Sequence, residues 1–154
     1  MRVYLGLGSN LGDRGFYLQK AISSLPRPMI TIEAISRIYE TEPWGVEGQP
    51  LYWNQVLEIE TALEPLKLLH ICQEIEQQLG RERKVHWGSR TIDIDLLIYD
   101  NIVIKTEELT LPHPFLEERA FVLIPLREIA PNLILPSGRP ISGVSGEGKV
   151  YPLP

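Results

Sequence analysis

Residues 91–99, Thr-Ile-Asp-Ile-Asp-Leu-Leu-Ile-Tyr, constrain this chain more than any other segment. Apolar and acidic side chains alternate there, and successive side chains of a strand point to opposite faces. A strand over 91–99 therefore turns Ile92, Ile94, Leu96 and Ile98 into a core. It aims Asp93 and Asp95, together with Thr91, the other way. Residues two apart along a strand lie roughly 6–7 Å from each other, so the carboxylates are neighbours. Neighbouring carboxylates repel unless a cation or a proton sits between them. Oxygen-only ligands suit Mg²⁺ or Mn²⁺, and Mg²⁺ uses one or two carboxylates together with substrate phosphates. Taken alone, the pair fits equally well the solvated polar face of a half-exposed strand.

The preceding loop tilts that balance. Arg81, Arg83, Lys84 and Arg90 fall within ten residues, opposed only by Glu82. In a chain of net charge -5 this is a local cationic patch beside an anionic pair. Arginine forks bind phosphate bidentately, and metal plus arginine is a common clamp on a phosphoryl group in transfer. The competing reading is a solvated charge run at a helix end, favourable to the helix dipole. The overall negative charge argues against a broad nucleic-acid surface, which needs a basic face.

Around this segment the chain reads as alternating strands and helices. Val3 to Leu7 is a short apolar strand, and Gly6, Gly8 and Gly12 surround a turn after it. Asp13 caps a helix to about Leu25, stopped by Pro26 and Pro28. Met29, Ile30, Ile32, Ile35 and Ile38 mark one long, bent strand rich in β-branched residues. A loop over 41–50 holds Pro43, Trp44, Gly45, Gly48 and Pro50, and its size makes it a candidate binding loop. Tyr52 to Ile59 is a third strand. Pro65 opens a helix to Leu79 with Ile71, Ile75 and Leu79 on one face, ended by Gly80. After the strand at 91–99 comes a turn at Asp100-Asn101 and a return strand containing Val103. From Pro114 the pattern is helical, interrupted at Pro125 and Pro131, and the Gly-, Pro- and Ser-rich tail from Gly138 is irregular.

The order strand, helix, strand, strand, helix, strand is the ferredoxin-like α+β order: an antiparallel sheet with helices packed on it, here with C-terminal additions. With 154 residues and neither repeat nor linker, the expectation is one domain over 1–154. The lone cysteine, Cys72, excludes an intrachain disulfide framework. With no signal-peptide layout and no membrane-length apolar run, a cytosolic protein is expected.

Familiar nucleotide motifs are missing. Leu11 stands where a G-x-G-x-x-G fingerprint needs its third glycine, and no P-loop or zinc spacing occurs. His70 reads as a partly buried helix histidine, and His113 sits in a rigid turn between Pro112 and Pro114. Trp44, Tyr52, Trp53, Trp87 and Phe121 fall near loops and strand ends, where two rings can hold a flat heterocycle; some of them equally fit a core. Asn54 offers a donor and an acceptor for the edge of such a ring.

These residues closely resemble the 6-hydroxymethyl-7,8-dihydropterin pyrophosphokinase family. The resemblance runs through Gly8-Ser9-Asn10-Leu11, Tyr39-Glu40-Thr41, Pro43, Asn54 and Gly80-Arg81. It is strongest at Trp87-Gly88-Ser89-Arg90-Thr91-Ile92-Asp93-Ile94-Asp95-Leu96-Leu97 and ends with Leu111-Pro112-His113-Pro114, Arg119 and Phe121. It implies a cytoplasmic, monomeric folate-pathway enzyme with ATP and the hydroxymethyl pterin as substrates, and neither nucleic acid nor membrane as partner. Asp93 and Asp95 would bind two Mg²⁺ ions bridging the ATP phosphates and the pterin hydroxyl. Arg90 would contact the phosphates, with Arg81 and Arg83 assisting. The resemblance also assigns Gln73, Glu76, Lys84, Trp87 and His113 to the ATP side, with Thr110 nearby. Tyr52 and Phe121 would sandwich the pterin, Asn54 and the backbone around Thr41–Trp44 would read its edge, and Arg119 would lie near both ligands. Segments 10–14, 43–50 and 81–90 would close over the pair. Glu108, Trp44 and the short Val85-His86 stretch depart from the pattern. The rivals are a non-catalytic nucleotide or pterin sensor and a metal-dependent phosphohydrolase.

Overall fold

A computed structural model describes residues 1–42, 51–80 and 91–153. Five antiparallel strands form the main sheet: β1 (Arg2–Ser9), β2 (Ile30–Ile35), β3 (Tyr39–Thr41), β4 (Tyr52–Thr61) and β5 (Asp93–Tyr99). A short hairpin, β6 (Ile104–Lys105) with β7 (Thr110–Leu111), follows, and β8 (Val150–Pro152) joins the main sheet from the tail. The main sheet runs β5-β1-β4-β3-β8, and β2 shares the edge of β4 with β3. Every neighbouring pair in it is antiparallel.

The helices are α1 (Arg14–Ser24), α2 (Pro65–Gln78) and α3 (Ala120–Ile129), with a 3₁₀ turn at Ile141–Gly143. Asp13 caps α1 as expected, its carboxylate accepting the Phe16 N–H at 3.0 Å. Helices α1 and α2 cover one face of the sheet. There Leu18, Ala21, Leu68, Cys72 and Ile75 pack with Leu5, Leu7, Leu57, Ile59, Ile92, Ile94 and Leu96. The buried stripe of α2 is Leu68, Cys72 and Ile75, while Ile71 and Leu79 lie at its margin. On the opposite face α3 packs Val122, Leu123 and Leu126 against Tyr4, Val56, Leu97 and Ile98, with Leu135, Ile141 and Val144 from the tail. This is the ferredoxin-like core with a further helix on the second face.

Several sequence expectations are corrected. The long strand near residues 29–38 is two strands, both on β4, separated at Ser36. There the Ser36 hydroxyl accepts the Val56 N–H at 2.9 Å and donates to the Arg37 carbonyl at 2.8 Å. Gly6 and Gly8 are not turn residues but lie inside β1, and the turn falls at Gly12, whose φ is +71°. Strand β5 does not alternate throughout. Tyr4 pairs with Ile98 but Leu5 pairs with Leu96, so Leu97 is an extra residue. Such a bulge shifts the strand's facing by one residue. Ile98 therefore joins Leu97 on the α3 side, and Tyr99 goes under α1 and α2. Pro125 does not interrupt α3 but lies buried within it. Its lost N–H bond and ring clash, which ordinarily break a helix, are outweighed by burial of the α3 side chains on either side. The return strand begins at Ile104, one residue beyond Val103, and the tail is irregular only in part, since β8 pairs with β3.

Candidate active site

The site lies on the α3 face, and the alternation of three adjacent strands builds it. On central β1, Gly6 stands between Val56 of β4 and Asp95 of β5, and Gly8 between Asn54 and Asp93. With no side chains on these two positions, β1 becomes the floor of a trough. A Cβ on Gly8 would come within 2.9 Å of the Asn54 Oδ1 and 3.5 Å of the Tyr52 ring. A side chain there would collide with one wall, so glycine is required by close approach and not by its backbone angles.

The trough opens into a cavity of about 190 Å³. Asp93, Asp95 and Leu97 line it from β5, Tyr52, Asn54 and Val56 from β4, and Thr41 from β3. Arg119, Phe121 and Val122 face it from the start of α3. Asn54 is fixed there: it is buried, and its Nδ2 donates to the Thr41 Oγ1 at 2.6 Å. Its Oδ1 thereby faces the space above Gly8. Tyr52 senses the carboxylates electrically. Burial first, then the charges of Asp93 and Asp95, push its phenol up to about 12. The Arg119 guanidinium lies 4.7 Å from the Phe115 ring centroid and 5.5 Å from that of Phe121, within cation–π range. Burial lowers the basicity of Arg119, and the charges of Asp95 and Glu118 oppose that shift.

Glu76 of α2 is placed differently from the other carboxylates. It is buried on the helix side of the sheet, and its Oε2 accepts the Ile94 N–H at 2.8 Å. It thus holds the backbone of the residue between Asp93 and Asp95. Gln73 is exposed on α2 and does not line the cavity. His113 follows a cis Leu111–Pro112 peptide, and its N–H donates to the Leu97 carbonyl at 2.9 Å, which ties its turn to the bulge of β5. His70 is not partly buried but about half exposed, and it pairs with Glu108 at 3.1 Å. A pair at such exposure contributes little to stability. Arg81, Arg83, Lys84, Trp87 and Arg90, like Trp44, lie outside the described residues. Among the described residues no group of three His, Cys, Asp or Glu side chains could hold a metal ion by itself.

Sequence reasoning missed the part played by Gly6 and Gly8, and by Leu97 and Val122. The signal for the first two was available: glycines spaced by two inside an apolar strand pattern mark a face that something approaches closely.

The ferredoxin-like sheet, its paired carboxylates, its glycine floor and its aromatic-walled cavity together outline a small-ligand site. The family described as 7,8-dihydro-6-hydroxymethylpterin-pyrophosphokinase matches residues 4–131, and the chain belongs to that family. It is 46% identical over 151 residues to the 2-amino-4-hydroxy-6-hydroxymethyldihydropteridine pyrophosphokinase of Aquifex aeolicus, covering 97% of this chain and 94% of that protein. The protein of the same description from Bacillus subtilis is 48% identical over 127 residues, 82% of this chain and 76% of that one. In fold it is similar to the wild-type HPPK-DHPS of Plasmodium falciparum crystallised with pteroate, at a TM-score of 0.72 and 15% identity. That likeness covers 92% of this chain and 41% of the longer one.

Proposed function

We propose that this chain transfers the pyrophosphoryl group of ATP to the hydroxymethyl oxygen of 6-hydroxymethyl-7,8-dihydropterin, giving AMP and the pterin pyrophosphate. The observation that carries this is the position of Asp93 and Asp95 on one wall of a cavity whose other walls are Tyr52, Asn54 and Phe121. A flat bicyclic ring fits between Tyr52 and Phe121, and the Asn54 amide, fixed by Thr41, reads its edge. The hydroxymethyl group then points toward the carboxylates.

The hydroxyl oxygen attacks the β-phosphorus in line, the bond from that phosphorus to the oxygen bridging it to the α-phosphorus breaks, and AMP leaves. The hydroxyl proton passes to solvent. Such a transfer needs positioning and charge neutralisation more than a covalent nucleophile. Arg119 is suited to the negative charge that gathers between the two ligands. Glu76 acts from behind, fixing the Ile94 backbone and with it the separation of the two carboxylates. Arg81, Arg83, Lys84, Trp87 and Arg90 are assigned to the ATP side, as are Gln73 and His113.

The donor set fits Mg²⁺: two carboxylates on one face, with no third His, Cys, Asp or Glu grouped with them among the described residues, suit an ion that fills its other positions with phosphate oxygens and water. Two such ions, held by Asp93 and Asp95, would neutralise phosphate charge and lower the pKa of the attacking hydroxyl. The chain is further read as one working domain over 1–154, monomeric and cytoplasmic, with no nucleic-acid or membrane partner. No described helix is long and apolar enough to cross a membrane.

Product analysis with ATP, Mg²⁺ and the pterin tests the reading. AMP and pterin pyrophosphate should appear in equal amounts, and only when both substrates are present. AMP released without pterin would mark a phosphohydrolase, and ATP binding without any product would mark a sensor.

A further inference from the structure

The chain beyond residue 131 lies outside the stretch that matches the family, yet it reaches the backbone on either side of Arg119. The tail first anchors in the second core, where Ile141 and Val144 are buried. It then passes directly behind Arg119. The Glu147 carbonyl accepts the Ala120 N–H at 3.0 Å, and the Glu147 N–H donates to the Glu118 carbonyl at 2.8 Å. The backbone is thereby gripped on both sides of Arg119, in a parallel bridge between residues 119 and 147.

Gly146 makes this approach possible. Its φ is +66°, and a Cβ there would lie 2.8 Å from the Ala120 nitrogen and 3.0 Å from the Arg119 carbonyl carbon. Both the backbone angle and the backbone contact exclude a larger residue.

The grip also answers a structural need of α3. Arg119 occupies the position before the helix, where a side chain ordinarily accepts one of the first N–H groups. Arginine has no acceptor. The Glu147 carbonyl takes the first of those N–H groups, that of Ala120, while the Arg119 side chain lies against Phe115 and Phe121 at the cavity.

We propose that Gly146 and Glu147 are positioning residues for Arg119: the tail pins the backbone on both sides of it, at Glu118 and Ala120, and so fixes where its guanidinium stands in the site. The inference rests on the reading of Arg119 as a group serving pyrophosphoryl transfer.

A double-mutant cycle on the full chain tests it, with kcat and KM for ATP and pterin measured together with Tm. Arg119→Ala should lower kcat about a hundredfold. Gly146→Ala should lower kcat about tenfold in the native background and less than twofold in the Arg119→Ala background. Val144→Ala loosens the tail's anchor away from the clamp and should lower Tm while leaving kcat within twofold. Should Gly146→Ala fail to fold, Glu147→Pro, which removes the N–H given to Glu118, runs through the same cycle. Equal proportional losses in both backgrounds, or no loss from either tail variant, would overturn the positioning role. Full activity of Arg119→Ala would instead overturn the reading of Arg119 on which it depends.

Discussion

The two faces of the sheet are made from the same strands and do opposite work. Under α1 and α2 the inward positions of β1, β4 and β5 are Leu5, Leu7, Leu57, Ile59, Ile92, Ile94 and Leu96, closed against two helices. On the other side the same strands present Gly6, Gly8, Asn54, Asp93 and Asp95, and α3 covers only part of them. The bulge at Leu97 divides β5 into an end that serves the cavity and an end that serves the α3 core. One residue of alternation therefore separates a stability residue from a chemistry residue. Neighbours such as Ile94 and Asp95 should fail in different ways when changed.

The largest expected effect is at Asp95→Ala. Removing one preorganised charge-stabilising group typically costs a hundred- to a thousandfold in rate, about 3–4 kcal/mol. We expect kcat to fall by about that much with Tm within a few degrees of the native value, because Asp95 is exposed to the cavity and not packed. A near-native kcat in saturating Mg²⁺ would break the comparison outright. Its partner experiment is Ile94→Ala. Emptying a buried isoleucine site costs about 2–5 kcal/mol of stability. Urea unfolding should show a loss in that range, and the fraction still folded should keep its KM values. If the adjacent residues instead gave the same mixture of lost stability and lost turnover, the faces would not be separate.

Smaller effects test the walls. Gly8→Ala forces a Cβ against the Asn54 Oδ1 and the Tyr52 ring, a strain of about 1–3 kcal/mol for overpacked sites. Because both displaced groups face the cavity, the KM for pterin should rise more than the KM for ATP, as followed by initial rates with each substrate varied in turn. Phe121→Ala should act in the same direction but less, by about tenfold in pterin KM, since a ring–ring contact adds roughly 0.5–1.5 kcal/mol beyond its buried area. Equal changes for both substrates would make Phe121 a core residue and remove one wall from the site.

What the sequence revealed follows the same division. The carboxylate pair, the core face of β5 and the cap at Asp13 were legible because each depends on local periodicity or a single side-chain bond. The bulge at Leu97 was not, since it is set by pairing with Tyr4 and Leu5, far away in the chain. Nor was the split at Ser36, where a hydroxyl takes a bond that the strand backbone would otherwise make. Pro125 misled because its helix is held by apolar contacts that no local rule contains. The assembly of Arg119 and Phe121 with Asp93 needed the topology, as did the return of the tail to Arg119. Glu76 was singled out for a ligand, but a sequence does not tell that a helix carboxylate will be buried against a strand N–H.

A different kind of effect, on stability against pH, concerns His113, whose turn is tied to the bulge at Leu97. Burial, with the Arg119 charge adding, pulls its pKa from 6.5 down to about 4. The geometry agrees: its Nδ1 accepts the Phe115 N–H at 3.1 Å, which requires that nitrogen to be unprotonated. As pH falls through 6.5 the unfolded chain takes up a proton that the folded chain refuses until about 4. Where the unfolded state binds more protons, stability rises with pH. The contribution of His113 is therefore fully present above 6.5 and is lost as pH drops toward 4. Urea unfolding at pH 7, 5.5 and 4.5 should show the native chain losing more stability on acidification than His113→Asn, whose Oδ1 can accept the same N–H without titrating. Parallel losses in the two proteins would mean that His113 is protonated in the folded state too, and that its turn is open to solvent on the side where the cavity lies.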